Sequence, residues 1–171
     1  MLKPISEKKM QIATDSLIKM LEKAKQSKKS GPVSSKISVA WTKELIEQYI
    51  YHLDWYELSR NTSLPWSIEL IEKFKPYWRW DALSSNQSTV LWSIDLIDTF
   101  KDYWSWKALS SNPHMPWSLD LIEKFQENWD WNYLCRNPSL PLDKHLIEKF
   151  KGTLYWQFLS TNDSLAWSKE I

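Results

Sequence analysis

Glycine is almost missing from this chain: among 171 residues it occurs only as Gly31 and Gly152. The G-x-G-x-x-G and P-loop turns need several glycines so that backbone can approach a phosphate, so nucleotide-fold fingerprints are excluded by count. Cysteine is scarcer still, and Cys135 has no second thiol to bridge. No run of about 18 apolar residues offers a membrane span. No charged-then-apolar start resembles a signal peptide, which makes a reducing cytoplasm the expected compartment. Neither sign of charge dominates: 22 Lys and Arg stand against 21 Asp and Glu, a net +1 that by itself selects neither nucleic acid nor membrane. What the chain has in excess is tryptophan, 13 residues of it.

The tryptophans are periodic. Trp41, Trp66, Trp92, Trp117, Leu142 and Trp167 open successive segments at steps of 25, 26, 25, 25 and 25 residues, giving five full repeats over 41–166 and the start of a sixth. The single insertion falls within 86–91. Numbering the leading Trp as offset zero, the consensus is W-S-x-E-L-I-E-x-F-x-x-x-W-x-W-x-x-L-S-x-N-x-x-L-P. A fixed period of this length marks a repeat architecture.

Each column has a physical job. Offset one holds Thr42, Ser67, Ser93, Ser118, Asp143 and Ser168, all side chains whose oxygen accepts from an orphan N–H at a helix start. Acids at offset three (Glu44, Glu69, Asp95, Asp120, Glu170) suit the positive end of that helix. With the cap at offset one, the leading Trp and the Ile at offset five stand in the hydrophobic-staple relation, as in Trp66 and Ile71. Leu70, Ile71, Phe74 and Trp78 then trace a helical stripe, which predicts a short helix A. Trp at offset fourteen and Leu at seventeen, as in Trp80 and Leu83, predict a short helix B. It is expected to stop at the recurrent Asn61, Asn86, Asn112, Asn137 and Asn162 in a left-handed conformation, with Pro113 and Pro138 directly after it. The prediction is an all-α solenoid of short helix pairs, five full repeats plus an N-terminal helix, its hand left open. A β-solenoid is the competing architecture, disfavoured by the capping residues, acidic first turns and lack of glycine corners.

The ends differ from the array. Residues 1–36 carry nine lysines against three acids, a net +6, which leaves −5 on 37–171. Met10, Ala13, Leu17, Met20 and Ala24 form a heptad-like seam on a helix expected from about Ser6 to Gln26. A linker at Ser30-Gly31-Pro32 follows, then 33–40 echoes a repeat tail, so 1–36 is read as a basic amphipathic helix, linker and degenerate capping repeat. A coiled-coil dimerisation helix or a basic surface for membrane or nucleic acid are the sharper alternatives. Trp167-Ser168-Lys169-Glu170-Ile171 opens a sixth helix A without its stripe, so 37–171 is expected to be a fragment of a longer array, or to present an uncapped face to another molecule or to a second copy.

Catalytic chemistry needs unlike residues to converge, whereas a repeat offers like residues at intervals. His52, His114 and His145 occupy different offsets and lack metal-ligand spacing. Cys135 stands in the small-residue column with Ser59, Ser84, Ser110 and Ser160, and reads as a packed, inert thiol. The acid columns are placed as dipole partners and solvated faces, not as acid–base pairs. The Trp columns read as core between repeats in preference to stacking platforms for bases or sugars. The Asn column reads as a helix terminator and inter-repeat hydrogen-bond ladder. The chain is therefore expected to be no enzyme and to hold no metal or cofactor.

Function is sought where the repeats differ. Offset nineteen reads Arg60, Ser85, Ser111, Arg136 and Thr161; offsets fifteen and sixteen include Tyr56, Lys107, Tyr133 and Phe158. Varied polar and aromatic side chains on a fixed frame are how helical arrays present an extended partner surface. These nine residues are the candidate binding positions, with unconstrained surface as the bland alternative. A non-catalytic scaffold for a protein partner is the expectation, and −5 on the array argues against a phosphate-tracking groove. The second expectation is a nucleic-acid or nucleotide-ligand module using the Lys-rich residues 1–36 for charge and the repeat aromatics for stacking.

The combined pattern W-S-x-E-L-I-E-K-F with W-x-W-x-x-L-S-x-N-P-x-L-P resembles Trp-rich tandem repeats of uncharacterised bacterial and giant-virus proteins. It covers residues 41–171. The resemblance implies the solenoid and brings no activity, ligand or catalytic residue with it.

Overall fold

The computed structural model describes residues 7–27, 40–160 and 162. They form eleven α-helices and no strand. α1 (Glu7–Ser27) is followed by alternating A and B helices: α2 (Lys43–Gln48), α3 (Trp55–Arg60), α4 (Ile68–Lys73), α5 (Trp80–Ser84), α6 (Ile94–Thr99), α7 (Trp106–Ser111), α8 (Leu119–Lys124), α9 (Trp131–Leu134), α10 (Lys144–Phe150) and α11 (Trp156–Leu159). Two compact units result, residues 1–91 with α1 and the first two repeats, and 92–171 with the third to fifth. The boundary falls at the insertion. The fold is all-α, and inside each unit the helix pairs stack as a solenoid does. No described helix is long and apolar enough to cross a membrane.

Helix A starts where the caps predict. Thr42, Ser67, Ser93, Ser118 and Asp143 each accept from the backbone N–H three residues on, at Leu45, Leu70, Leu96, Leu121 and Leu146. Backbone N–H groups, and after them the Thr42 and Ser67 hydroxyls, hold the Glu44 and Glu69 carboxyls below the ordinary carboxylate range. Such short helices cannot persist alone. Ser67→Ala and Ser118→Ala should each lower stability by about 0.5–2 kcal/mol in urea titrations; unchanged midpoints would mean the caps contribute nothing.

Packing gives each Trp column its own indole hydrogen bond as well as its bulk. Offset-twelve Trp78, Trp104 and Trp129 are buried and donate to the carbonyls of Ile71, Ile97 and Ile122 near the end of their own helix A. Offset-fourteen Trp55, Trp106 and Trp131 donate to Ile50, Lys101 and Gln126, while leading Trp66 and Trp117 donate to Asn61 and Asn112. Late helix carbonyls have no partner within their helix, so the offset-twelve indoles act as C-terminal caps, while the other indoles satisfy carbonyls in the turns just past a helix end.

Successive repeats within a unit are joined by three kinds of link. Rings interlock: Trp55 meets Phe74 and Trp78, Trp106 meets Phe125 and Trp129, and Trp131 meets Phe150. Buried amides bridge: Asn86 donates to Ser59 and Asn61 carbonyls, Asn137 to Ser110 and Asn112, and Asn162 to Cys135 and Asn137. Small side chains clasp: the Ser59 and Ser110 hydroxyls accept from the Arg79 and Asp130 N–H groups. Cys135, fully buried, does this for Tyr155; burial pushes its thiol up, and that N–H partly offsets the rise. On the outer side, acid-to-lysine pairs Glu47–Lys73, Asp98–Lys124 and Glu123–Lys149 tie neighbouring A helices.

Two expectations are corrected. Asn61 and Asn112 are not left-handed: their backbones are extended, at φ −71°, ψ 117° and φ −78°, ψ 114°. Their side-chain oxygens accept from the N–H two residues on, at Ser63 and His114, a turn that an extended backbone favours, and Pro113 restrains Asn112 further. The ladder half of that reading holds. On α1 the buried positions are Leu17 and Leu21, while Met20 is 42 % exposed; Met10 and Ala24 lie outside the described side chains. Leu17 and Leu21 are an i,i+4 pair on one face of the helix, and Leu21 takes the place given to Met20. Thr14 accepts from the Ala40 N–H, and Glu22 accepts from the Tyr49 hydroxyl. Burial, and after it that carboxylate, pushes the Tyr49 phenol up to about 12. The linker, the repeat-tail echo at 33–39 and Trp167–Ile171 lie outside the described residues.

Candidate functional site

The B helices carry the varied positions outward because their fixed columns point inward. In α7 and α9, Leu109, Ser110 and Leu134 are fully buried, so offsets fifteen, sixteen and nineteen fall on the opposite arc. In the second unit these side chains pair across repeats. The Lys107 ammonium lies 4.7 Å from the Tyr133 ring centroid, and the Arg136 guanidinium carbon lies 3.7 Å from that of Phe158. Lys107 and Arg136 are exposed and the rings beneath them half-buried. Such contacts contribute about 0.5–1 kcal/mol at exposed sites. Their larger effect is placement: a cation held over a ring is fixed on the exposed face, where a partner's carboxylate could meet it. The Tyr133 hydroxyl also holds the Lys107 ammonium charged to higher pH than usual.

The first unit shows a local version. Arg60 sits 5.7 Å from the Tyr56 ring centroid, one helical turn away on α3, and Tyr56 is 42 % exposed. Ser85 and Ser111 are exposed, and their hydroxyls turn back to the Asp81 and Ala108 carbonyls of their own helices. They add little beyond a smooth surface. Thr161 lies outside the described residues. The structure thus joins Lys107 with Tyr133, Arg136 with Phe158 and Arg60 with Tyr56, and leaves both serines occupied locally.

The second unit also holds a feature that column variation did not flag. An open groove of about 630 Å3 runs between 129–132 and 152–155, lined by Trp129, Asp130, Trp131, Asn132, Gly152, Thr153, Leu154 and Tyr155. A smaller cavity of about 260 Å3 adjoins it at Gln126, Glu127 and Phe150, sharing Trp129, Trp131 and Thr153. The signal was present: Gly152-Thr153-Leu154 stands where the second repeat reads Pro76-Tyr77-Trp78. The structure places no group of three or more His, Cys, Asp or Glu to hold a metal among the described residues. Comparison of the chain with protein-family models, with curated proteins and with solved structures finds no match.

Proposed function

We propose that the repeats form a non-catalytic scaffold that binds a protein partner through the varied face of the B helices. The observation that carries this reading is the pair of cation–aromatic stacks, Lys107 on Tyr133 and Arg136 on Phe158, each spanning consecutive repeats. Exposed charged and aromatic groups held in fixed geometry on a rigid frame lose little entropy when a partner docks. Tyr and Arg are also the side chains most enriched at interface hot spots.

The array's lysines favour a protein over a nucleic-acid partner. Lys73, Lys124 and Lys149, one row of the A helices, are each paired with an acid of the preceding repeat, which weakens that row as a track for a phosphate backbone. On this reading the compartment is the cytoplasm, where a lone buried thiol such as Cys135 stays reduced. Kinship with the Trp-rich tandem repeats would be one of architecture.

The test is capture of partners from cell extract by the whole chain at about 150 mM salt, a level at which nonspecific phosphate contacts weaken. A protein retained by the parent should be lost by the double variant Lys107→Glu/Arg136→Glu, which should stay folded with stability lowered by only the about 1–2 kcal/mol that the two stacks contribute. Capture that is indifferent to this reversal would sink the reading. Recovery of nucleic acid instead, with affinity falling steeply between about 50 and 200 mM salt, would put the N-terminal lysines in charge of binding.

A further inference from the structure

The groove beside Trp131 has a counterpart in the first unit that is already filled. There the offset-fourteen Trp55 is covered by the Tyr77 ring at 5.1 Å and 28°, a stacked arrangement, with Trp78 against it edge-on at 4.9 Å. Tyr77 in turn meets Tyr51 at 6.4 Å. In the second unit, Trp106 of the third repeat keeps Trp129 edge-on at 4.9 Å, but offset eleven of the fourth repeat is Asn128. At Trp131 both covering rings are gone: Thr153 stands in the Tyr77 column and Leu154 in the Trp78 column. Offset ten is Gly152, where an added methyl would touch nothing within 4 Å. Trp131 retains Phe150 beneath it at 4.9 Å, and the vacated volume is the groove itself.

We infer that this slot receives an aromatic side chain from a basic-flanked segment of a protein partner, stacked on Trp131 as Tyr77 stacks on Trp55. The inference rests on the scaffold reading and names the chemistry of its partner. Ring choice follows from the molecule's own filled slot, and offset stacking on an indole is the geometry aromatic pairs prefer. Charge choice follows from the rim. Asp130 lines the groove and Glu127 its annex, while no Lys, Arg or His lines either. A segment carrying Arg or Lys next to its ring is attracted there, and a phosphate-bearing nucleobase meets like charge. Tyr155, 47 % exposed, forms the opposite side.

The experiment uses the full chain labelled with 15N and follows the Trp131 indole N–H, assigned by its disappearance in Trp131→Phe. The probes are blocked tripeptides: Arg-Tyr-Arg, Arg-Ser-Arg and Glu-Tyr-Glu, with adenosine monophosphate as the nucleotide comparator. Arg-Tyr-Arg should move the Trp131 resonance saturably at concentrations around a dissociation constant of about 1 mM. Removing the ring or reversing the charge should weaken the response by about tenfold or more. Thr153→Tyr, which supplies the side chain the first unit already accommodates, should abolish it. Asp130→Asn keeps the helix cap and should weaken Arg-Tyr-Arg while leaving Glu-Tyr-Glu unchanged or improved, so the claim stays testable if Thr153→Tyr folds poorly.

No response to Arg-Tyr-Arg, an equal response to Arg-Ser-Arg, an undiminished response in well-folded Thr153→Tyr, or a stronger one to adenosine monophosphate would each overturn the slot. The scaffold reading fails separately, on partner capture that survives Lys107→Glu/Arg136→Glu.

Discussion

Trp129→Ala should destabilise the chain by about 3–5 kcal/mol, the range for losing a fully packed aromatic. Trp129 is 4 % exposed and touches Trp106 at 4.9 Å, Trp117 at 5.1 Å and Phe125 at 6.1 Å. It therefore joins two repeats and packs against residues at both ends of its own helix A. Truncation opens a cavity on that seam and strips the Ile122 carbonyl of its donor at once. Trp129→Leu separates these effects. Leucine already stands at this offset in Leu53 and Leu154, both buried, so the column tolerates it sterically, and the residual loss of about 1–3 kcal/mol reports mainly the orphaned carbonyl. Urea unfolding followed by near-ultraviolet dichroism measures both. A loss below about 1 kcal/mol for alanine would mean that the ring is no wedge between repeats.

Asn137→Ala is expected to cost about 2–4 kcal/mol, since it leaves more than one buried backbone group short of a partner. The side chain is 2 % exposed. It donates to Ser110 and Asn112 carbonyls of the preceding repeat at 2.9 and 3.2 Å and accepts from the Ser139 N–H at 2.9 Å. Asn137→Asp keeps the acceptor but sets an anion against two carbonyls, and should be at least as damaging. If aspartate instead preserves the urea midpoint while alanine lowers it, the amide serves the local turn and the bridge between repeats contributes nothing.

Much of this architecture was legible because the sequence states it five times. The capping column identified every described start of helix A; the apolar stripe identified buried residues but overran the helix, which in the second repeat stops at Lys73, so that Phe74 caps it and Trp78 packs from the turn beyond. What escaped were properties that depend on direction and on partners in another repeat. Trp at offset twelve looks like a demand for bulk, and only packing shows the indole N–H aimed at the Ile carbonyl of its own helix A. The Asn column has two donors and an acceptor, enough to predict a ladder, but its backbone conformation follows from which groups those atoms find. Leu21 displaced Met20 because i,i+3 and i,i+4 neighbours of Leu17 share its face and spacing alone does not choose between them. For the candidate site, pairing of Lys107 with Tyr133 and of Arg136 with Phe158 joins positions 26 and 22 residues apart. Variation flagged those columns, whereas the groove arises where three columns together lose their side-chain bulk.

Cys135 makes the seam between the fourth and fifth repeats chemically addressable without any substitution. Its sulfur is enclosed, and the neighbouring Tyr155 N–H and the Asn162 amide, which bonds the Cys135 carbonyl, belong to the next repeat. A thiol reagent can reach it only after those two repeats part. In the regime where closing outruns reaction, the ratio of its labelling rate to that of a free thiol at the same pH is the equilibrium constant for that parting, once the raised pKa is allowed for. The protein thus carries its own reporter of local opening, on the seam whose Tyr155 also lines the groove.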